Sequence, residues 1–303
     1  MNNGYAGDQA AALRSRVSKM PFRSPQTATS VLGIASGKGG VGKSSIVVNL
    51  ATQLARCGQK VLLLDADFGL GNLDIMLGVS TQDTLESVVV DGKKLEEIAL
   101  QIDDGITLLP TGSANFALAN ANPMLLEPIF YELETYAKRF DSVLVDTGAG
   151  ISERVRNTLL FTDKVVIVTS PDPTSLTDSY ATIKVVAQRD RRKAFAVIVN
   201  MVESSAQGRE IFSQLAHVAN KYLHVELESW GSIPHDARLP QSVRRQQPLA
   251  NCYPNSPAIH ALARMATHLT GQPLPSGGIL RGFFRSFFQS GYPPEDSMEL
   301  IAE

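Results

Sequence analysis

Residues 37–45 have the types and the spacing that bind a phosphate group. They satisfy the pattern G-x-x-x-x-G-K-[ST] with the sequence Gly37-Lys38-Gly39-Gly40-Val41-Gly42-Lys43-Ser44-Ser45. The glycines let the backbone wrap closely around a phosphate with its N–H groups turned inward. In such a loop Lys43 bridges the β- and γ-phosphates and the Ser44 hydroxyl is a Mg²⁺ ligand. We therefore predict a nucleotide site here, with Ser45 at the α-phosphate.

Three aspartates follow aliphatic runs elsewhere in the chain. Asp65 and Asp67 come after the run 61–64, and Asp146 comes after the run 143–145. Open α/β sheets bind ligands at the carboxyl ends of their strands, which is where these side chains would lie. The pattern around Asp146 is of the Walker B type, and it predicts that this carboxylate holds Mg²⁺ through water. For residues 65–74 a strand-end turn rich in Asp, Gly and Asn is the alternative.

The elements that must position these residues are short strands alternating with helices. Continuous apolar runs, typical of strands covered on both faces, occupy 31–35, 61–64, 106–109, 143–145, 165–168 and 195–199. Helical patterns cover residues 44–57 and 123–140. This alternation predicts an α/β fold, a doubly wound and mostly parallel sheet with helices on both faces.

Composition excludes several classes of protein. The chain has 303 residues, of which 44% are hydrophobic and 19% charged, so it is not a disordered chain. Its 28 basic and 30 acidic side chains give a net charge of −2, and we expect no direct binding of nucleic acid. Two cysteines, Cys57 and Cys252, exclude a disulfide scaffold. The sequence has neither a signal peptide nor a membrane span, which predicts a cytoplasmic protein with peripheral membrane contact at most.

The phosphate motif with its early lysine resembles the deviant Walker A motif of the MinD/ParA class of P-loop ATPases. The resemblance implies a MinD-like ATPase domain over residues 30–272 that uses ATP and Mg²⁺ and forms a homodimer in the ATP state. Lys38 would reach across that dimer to the partner's ATP. A solvated loop lysine is the alternative for Lys38.

The same resemblance implies roles for the acidic residues. Asp65 joins the Mg²⁺ shell, Asp67 orients or activates the attacking water, and Asn72 senses the γ-phosphate. No arginine finger within the chain is evident, so hydrolysis would be slow and switch-like. Members of the class often read Asp-Ser-Pro-Ala-Gly where this chain has Thr147 and Gly148 after Asp146, and we expect this departure to loosen the second switch.

Base recognition rests on two strand ends. Asn200 follows the run 195–199, and residues Pro234, His235 and Asp236 follow another apolar stretch. In the class that the chain resembles, these positions hold adenine. The chain has no N-K-x-D sequence of the kind that guanine-specific P-loop proteins use. A strand-end turn is the alternative for Asn200.

The C-terminal region, residues 273–303, begins with a linker and ends in an acidic tail. Between them residues 278–289 predict an amphipathic helix, whose apolar stripe is Ile279, Leu280, Phe283, Phe284, Phe287 and Phe288. The helix is too short to span a bilayer and suits an anionic membrane surface. A helix docked on the core is the alternative.

The N-terminal extension, residues 1–29, carries a short helical pattern with Asp8 as its cap. Asp8, Gln9, Leu13 and Arg14 belong to a D-Q-A-x-x-L-R sequence, which resembles the activator segment of the FlhG/FleN flagellar number regulators. That family implies an ATPase that regulates the number and placement of polar flagella at the inner face of the membrane. The implied partners are the FlhF GTPase, a FleQ-type transcription activator and the flagellar switch proteins.

Two other functional interpretations fit the same motifs. One is a MinD-type division-site or ParA-type partition ATPase, and the other is a nucleotide-bound adaptor without meaningful turnover. The phenylalanine stripe disfavours partition, and Gln9 disfavours division.

Overall fold

The computed structural model describes residues 29–67, 71–111, 123–271 and Gly282. Its eight strands are β1 Ser30–Ser36, β2 Val61–Ala66, β3 Leu100–Asp103, β4 Ile106–Leu109, β5 Ser142–Ala149, β6 Lys164–Thr169, β7 Ala194–Val202 and β8 Leu227–Pro234. They form one sheet in the order β3-β4-β2-β5-β1-β6-β7-β8. Only the β3–β4 pair is antiparallel.

Helices connect the strands and cover both faces of the sheet. In the described residues they are α1 Lys43–Arg56, α2 Leu73–Leu77, α3 Leu85–Asp91, α4 Leu95–Ile98, α5 Pro123–Ala137, α6 Glu153–Leu160, α7 Pro173–Ala187, α8 Ser205–Leu223, α9 Leu239–Arg244, α10 Leu249–Cys252 and α11 Pro257–Thr270. Each parallel connection crosses through a helix, as parallel pairing requires.

The core has two sides because alternate residues of each strand point to opposite faces. On one face Leu32 and Ile34 of β1 pack with α1, α2, α10 and α11. On the other face Val31 packs toward α3, α4 and α5, and Ala35 packs toward α6, α7 and α8. Strands buried on both faces read as continuous apolar runs, which is why the sequence revealed six of them.

The predicted fold class is confirmed, and the structure adds two strands to it. The antiparallel edge strand β3 alternates half-buried and exposed residues, and β8 contains Glu228, Ser229 and Gly231, so neither forms an apolar run. The helix predicted over 123–140 ends at Ala137. The predicted segments 8–14 and 278–289 lie outside the described residues, except Gly282, which lies beside the ring of Phe161. Among the described residues no helix is both long and apolar enough to cross a membrane.

Candidate nucleotide site

The glycine-rich loop connects the end of β1 to the start of α1 in the middle of the sheet. Gly37 passes so close to α7 that a Cβ there would lie 2.2 Å from the main-chain carbon of Asp178. Gly42, at the N-cap of α1, has a φ of 84°, a left-handed conformation that favours glycine. A Cβ on Gly42 would also lie 2.5 Å from Nδ2 of Asn200. Both glycines are therefore required by this backbone path.

Lys43 is buried at the start of α1 and forms an ion pair with Asp146. Its Nζ donates to Oδ1 of Asp146, and the two side chains are 8% and 2% exposed. Ser44 also hydrogen-bonds to Asp146. Burial raises the pKa of Asp146, and the Lys43 ammonium offsets part of that rise. The structure thus joins the lysine, the serine and the aspartate that the sequence placed at one site.

Asp65 lies next to Asp146, because the two residues are register partners on the neighbouring strands β2 and β5. Burial, followed by the charge of Asp146, raises the pKa of Asp65 to about 6. Three backbone N–H groups oppose that rise by donating to the carboxylate: those of Asp67 at 3.0 Å, Asn72 at 2.9 Å and Leu73 at 3.1 Å. Two carboxylates this close are stable together when a cation lies between or beside them.

Asp67 lies beyond β2 and contributes a negative charge that acts on Asp146. A Cβ added to Gly148 would be 3.1 Å from Oδ1 of Asp67, so Gly148 leaves the room that this carboxylate occupies. The neighbouring Thr147 is fully buried and donates its hydroxyl to the carbonyl of Ile34 at 2.9 Å. That bond ties the Thr147 position to β1, so the expected loosening is not seen at this residue.

Lys38 lies apart from Lys43, on the open side of the loop. Its Nζ donates to Oδ2 of Asp172 at 2.7 Å and to Oγ1 of Thr174 at 2.9 Å. Lys38 and Asp172 are each 43% exposed. The Lys38 ammonium and the Thr174 hydroxyl and N–H hold the pKa of Asp172 at about 2. A cavity of about 390 Å³ adjoins this pair, and its lining includes Gly39, Gly40, Met201, Glu203 and Gln207.

A second cavity, of about 110 Å³, lies on the other side of Gly42. It is lined by Ser45 and Asn200 and by three residues at the carboxyl end of β8 that were predicted to hold the base: Pro234, His235 and Asp236. Asn200 is buried and uses its Nδ2 to donate to the carbonyl of Val41 at 2.7 Å. Asn200 therefore also fixes the phosphate loop, a contact that the sequence did not indicate.

The residues present fit a magnesium–nucleotide complex. Ser44 hydrogen-bonds to Asp146, Asp65 lies beside Asp146 on the neighbouring strand, and oxygen is the ligand type that Mg²⁺ takes. Mg²⁺ usually keeps waters and substrate phosphates as its other ligands. In the described part of the chain, no group of three or more His, Cys, Asp or Glu side chains is arranged to hold a metal ion.

Asp172 and Thr174 are the residues of this site that the sequence analysis missed. They follow β6 and begin α7, where Asp172 is the N-cap and Pro173 occupies the first turn. An aspartate–proline pair after an apolar run is a signal for a helix start at a strand's carboxyl end. That signal places Asp172 at the correct edge of the sheet but does not reveal its contact with Lys38.

A glycine-rich loop between a central parallel strand and a helix, with a buried lysine and two strand-end aspartates, defines a P-loop nucleoside triphosphatase. The ParA family model, described as NUBPL iron-transfer P-loop NTPase, matches residues 27–270. The chain belongs to this family, in the MinD/ParA class of ATPases.

Two relatives carry flagellar names. The chain is 34% identical to the antiactivator FleN of Pseudomonas aeruginosa over 246 residues, 81% of this chain and 88% of that protein. It is 36% identical to the flagellum site-determining protein YlxH of Helicobacter pylori over 264 residues, 85% of this chain and 89% of that protein. The resemblance to flagellar regulators of the MinD/ParA class is therefore confirmed.

The fold matches that of a MinD solved with nucleotide. The septum site-determining protein MinD of Pyrococcus horikoshii, complexed with Mg-ADP, gives a TM-score of 0.63 and 26% identity over 80% of this chain and 96% of that chain. The family is one of nucleotide- and magnesium-using ATPases, and this protein is a P-loop ATPase.

Proposed function

We propose that this protein binds and slowly hydrolyses ATP as a homodimeric switch that regulates flagellar number and placement. The observation that carries the proposal is that the two lysines of the phosphate loop have different surroundings. Lys43 is buried against Asp146, whereas Lys38 lies half-exposed beside an open cavity. A buried lysine suits the protomer's own nucleotide, and an exposed one suits a nucleotide shared with a second copy.

Each site residue has a defined task in this proposal. Lys43 leaves Asp146 to bind the β- and γ-phosphates, and the loop amides hold the phosphate oxygens. Ser44, Asp65 and Asp146 hold Mg²⁺, which when bound neutralises charge on the phosphates. Asp67 orients the attacking water. The adenine occupies the cavity at Asn200, Pro234, His235 and Asp236.

Hydrolysis in this arrangement acts as a timer. Lys38 is a half-exposed cation of the phosphate loop, held by Asp172 and Thr174. The proposal has Lys38 exchange that pairing for the phosphates bound by the second protomer. Turnover is slow because the charge that stabilises the transition state arrives only with dimerisation.

The flagellar part of the proposal is supported by the relatives. FleN is named an antiactivator and YlxH a flagellum site-determining protein, and both align with most of this chain. We propose that this protein likewise acts on a FleQ-type transcription activator and, through Asp8, Gln9, Leu13 and Arg14, on the FlhF GTPase. Flagellar switch proteins are further partners in this scheme.

Membrane residence follows from the C-terminal stripe at residues 279–288. One apolar helix binds a bilayer weakly because ordering it offsets much of its burial, whereas two helices on an ATP-held dimer bind by avidity. The protein would thus be cytoplasmic after hydrolysis and peripheral, at the cell pole, in the ATP state.

Dimerisation is tested by sedimentation velocity with Mg²⁺ and a non-hydrolysable ATP analogue. Wild type is expected to form a dimer, and Lys38→Ala is expected to bind the analogue but stay a monomer. Lys93→Ala is the matched control, because it removes another half-exposed lysine that pairs with an aspartate. A monomeric wild type, or a dimeric Lys38→Ala protein, contradicts the shared-nucleotide proposal.

The flagellar assignment is tested in cells by deleting the gene and counting flagella. An altered number or position is expected, and normal flagella with a division or partition defect would assign the protein to that function instead. Complementation with Asp67→Ala distinguishes an ATPase that acts as a timer from an adaptor that binds nucleotide without turnover. Loss of correct number with this variant supports the timer, whereas full complementation supports an adaptor without turnover.

A further inference from the structure

A groove lies at the edge of the sheet opposite to the nucleotide site. Its volume is about 370 Å³. Residues from the amino ends of β2 and β4 and from the segment before β5 line it, together with α4 and β3: Lys60, Glu96, Ala99, Gln101, Gly105, Thr107, Tyr136, Arg139 and Phe140. We call this feature the amino-edge groove. It shares no lining residue with either cavity at the phosphate loop.

Four of the polar side chains that line the amino-edge groove, those of Glu96, Gln101, Thr107 and Arg139, are already hydrogen-bonded or ion-paired within the fold. Arg139 pairs with Glu96 at 2.8 Å. Gln101 donates to the carbonyls of Asp103 at 2.6 Å and Ile106 at 3.2 Å, and it accepts from the Thr107 hydroxyl at 3.2 Å. A small polar ligand would have to break these bonds to make its own.

The remaining surface of the groove is apolar and well supported. The rings of Tyr136 and Phe140 lie 5.5 Å apart, and the Arg139 guanidinium covers the Tyr136 ring at 5.0 Å. Ala99 and Phe140 are half-buried and pack against the core cluster below them. An apolar surface of this kind suits a bound segment that contributes apolar side chains.

The described chain begins beside this groove. Thr29 donates its hydroxyl to the carbonyl of Phe140 at 2.8 Å and to that of Ala137 at 3.3 Å. The N–H of Ser30 donates to the carbonyl of Asp141 at 3.1 Å. The described part of the chain therefore begins next to a groove-lining residue, and the sequence before it has apolar residues at helical spacing: Ala10, Leu13, Val17 and Met20.

We propose that residues 8–20 of the same chain dock in the amino-edge groove with this apolar stripe against Ala99 and Phe140. The eight residues 21–28 can span up to about 28 Å when extended, which exceeds the length of about 20 Å that a 13-residue helix covers. Tethering keeps the local concentration of the segment in the millimolar range, so a modest apolar contact suffices. A partner protein that binds Leu13 and its neighbours must first displace the segment from the groove.

Tryptic cleavage after Arg14 and Arg16 in the full-length, nucleotide-free chain tests the proposal, together with hydrogen exchange of residues 99–107. Leu13→Glu and Ala99→Lys are expected to speed cleavage by about tenfold, because proteolysis follows the population of the open form. Leu13→Glu is also expected to speed exchange in the groove. Leu13→Met and Ala263→Lys, which places the same charge at a half-buried alanine of α11, are the matched controls and keep the wild-type rates.

Equal cleavage rates in wild type and both test variants overturn the proposal. So does a hydrogen-exchange rate of residues 99–107 that is the same in Leu13→Glu as in wild type. Protection that rises with protein concentration also overturns it, because the groove would then hold the segment of a second copy. Wild-type ATP binding by Leu13→Glu and Ala99→Lys shows that both variants fold. Since the measurement needs no partner and no flagella, its failure leaves the proposed function untouched.

Discussion

Lys38 and Lys43 belong to one loop but meet very different surroundings. Lys43 is 8% exposed and paired inside the site, whereas Lys38 is 43% exposed and paired at its rim. Removing Lys43 leaves the Asp146 carboxylate buried without its cation, which is costly. Removing Lys38 breaks only an exposed pair, and such pairs contribute little to stability. The stability of the fold therefore depends little on Lys38, which leaves this side chain available for the role in dimerisation that we propose.

The Asp172 contact restrains Lys38 within its own protomer. We predict that Asp172→Asn, which keeps an acceptor at the α7 N-cap but removes the charge, shifts dimerisation with an ATP analogue to lower protein concentration. The midpoint should fall by about two- to fivefold, because an exposed ion pair contributes little free energy. Sedimentation equilibrium measures the midpoint. Asp83→Asn breaks a comparable exposed pair with Lys93 and should leave it unchanged; an unchanged midpoint in Asp172→Asn would contradict the restraint.

Gly42 offers a second test at this scale. We predict that Gly42→Ala weakens nucleotide binding by at least about tenfold, because the new Cβ collides with Asn200 and the left-handed φ of 84° costs about 1–2 kcal/mol. Isothermal titration with Mg-ADP measures the affinity. Gly58→Ala is the control: its φ is 85° but nothing lies within 4 Å of the new Cβ, so affinity should be retained. Equal affinities in the two variants would refute the collision.

Spacing in the sequence predicted which site residues meet, but it did not predict their pairings in the described structure. Asp65 and Asp146 were expected together because both end strands, and register confirms it. The contacts of Lys38 with Asp172 and of Asn200 with Val41 join residues more than 130 positions apart. Such pairings depend on the strand order, which local patterns do not encode.

Among the elements, the strand ends carry the buried charges. Asp163 precedes β6, and its Oδ2 accepts from the N–H of Val31 at 2.7 Å, which fixes the start of β1. Its Oδ1 is buried with no hydrogen-bond partner among the described residues. Burial raises the pKa of Asp163 to about 6, against an ordinary value of about 3.9.

This raised pKa predicts a pH dependence of stability. Between pH 4 and 6 the folded state binds the Asp163 proton more tightly than the unfolded state does, so the free energy of unfolding falls as pH rises through this window, by up to about 3 kcal/mol. Asp65, whose pKa is also about 6, adds to the fall in the nucleotide-free protein. Asp163→Asn keeps an acceptor for Val31 and should reduce the slope, and adding Asp65→Asn should reduce it further. Urea unfolding at four pH values measures the slope, and identical slopes in all proteins would refute this cause.

The sequence predicted the strands that are buried on both faces of the sheet. Strands β1, β2, β5, β6 and β7 are two to five residues longer than the predicted apolar runs, because their polar ends still pair in the ladder. The edge strands β3 and β8 were missed because an edge needs no continuous apolar run. In consequence the position of Gln101 in the amino-edge groove could not be inferred from sequence.

At the scale of the whole molecule, the nucleotide site joins both halves of the sheet. Its residues follow β1, β2 and β5 on one side and β6, β7 and β8 on the other. A ligand that contacts all of them stabilises the folded state as a unit. The alignments with FleN and YlxH cover 81% and 85% of this chain, respectively.

Nucleotide should therefore raise the melting temperature. Mg-ADP at 100 times its Kd adds about 2.7 kcal/mol, which corresponds to about 5–11 °C for a domain of this size. Differential scanning fluorimetry measures the shift. Lys43→Ala is expected to lose it, and Lys93→Ala is expected to keep it. A full shift in Lys43→Ala would remove Lys43 from phosphate binding.

The central place of β1 has a consequence for synthesis. This early strand lies between β5 and β6, and α1 is covered by α11, which is made last of the described helices. A ribosome therefore releases the glycine-rich loop long before the walls that shape it exist. A chain that stops before Pro257 lacks the helix that covers α1, and one that stops before Leu227 also lacks the side of the second cavity formed by Pro234, His235 and Asp236.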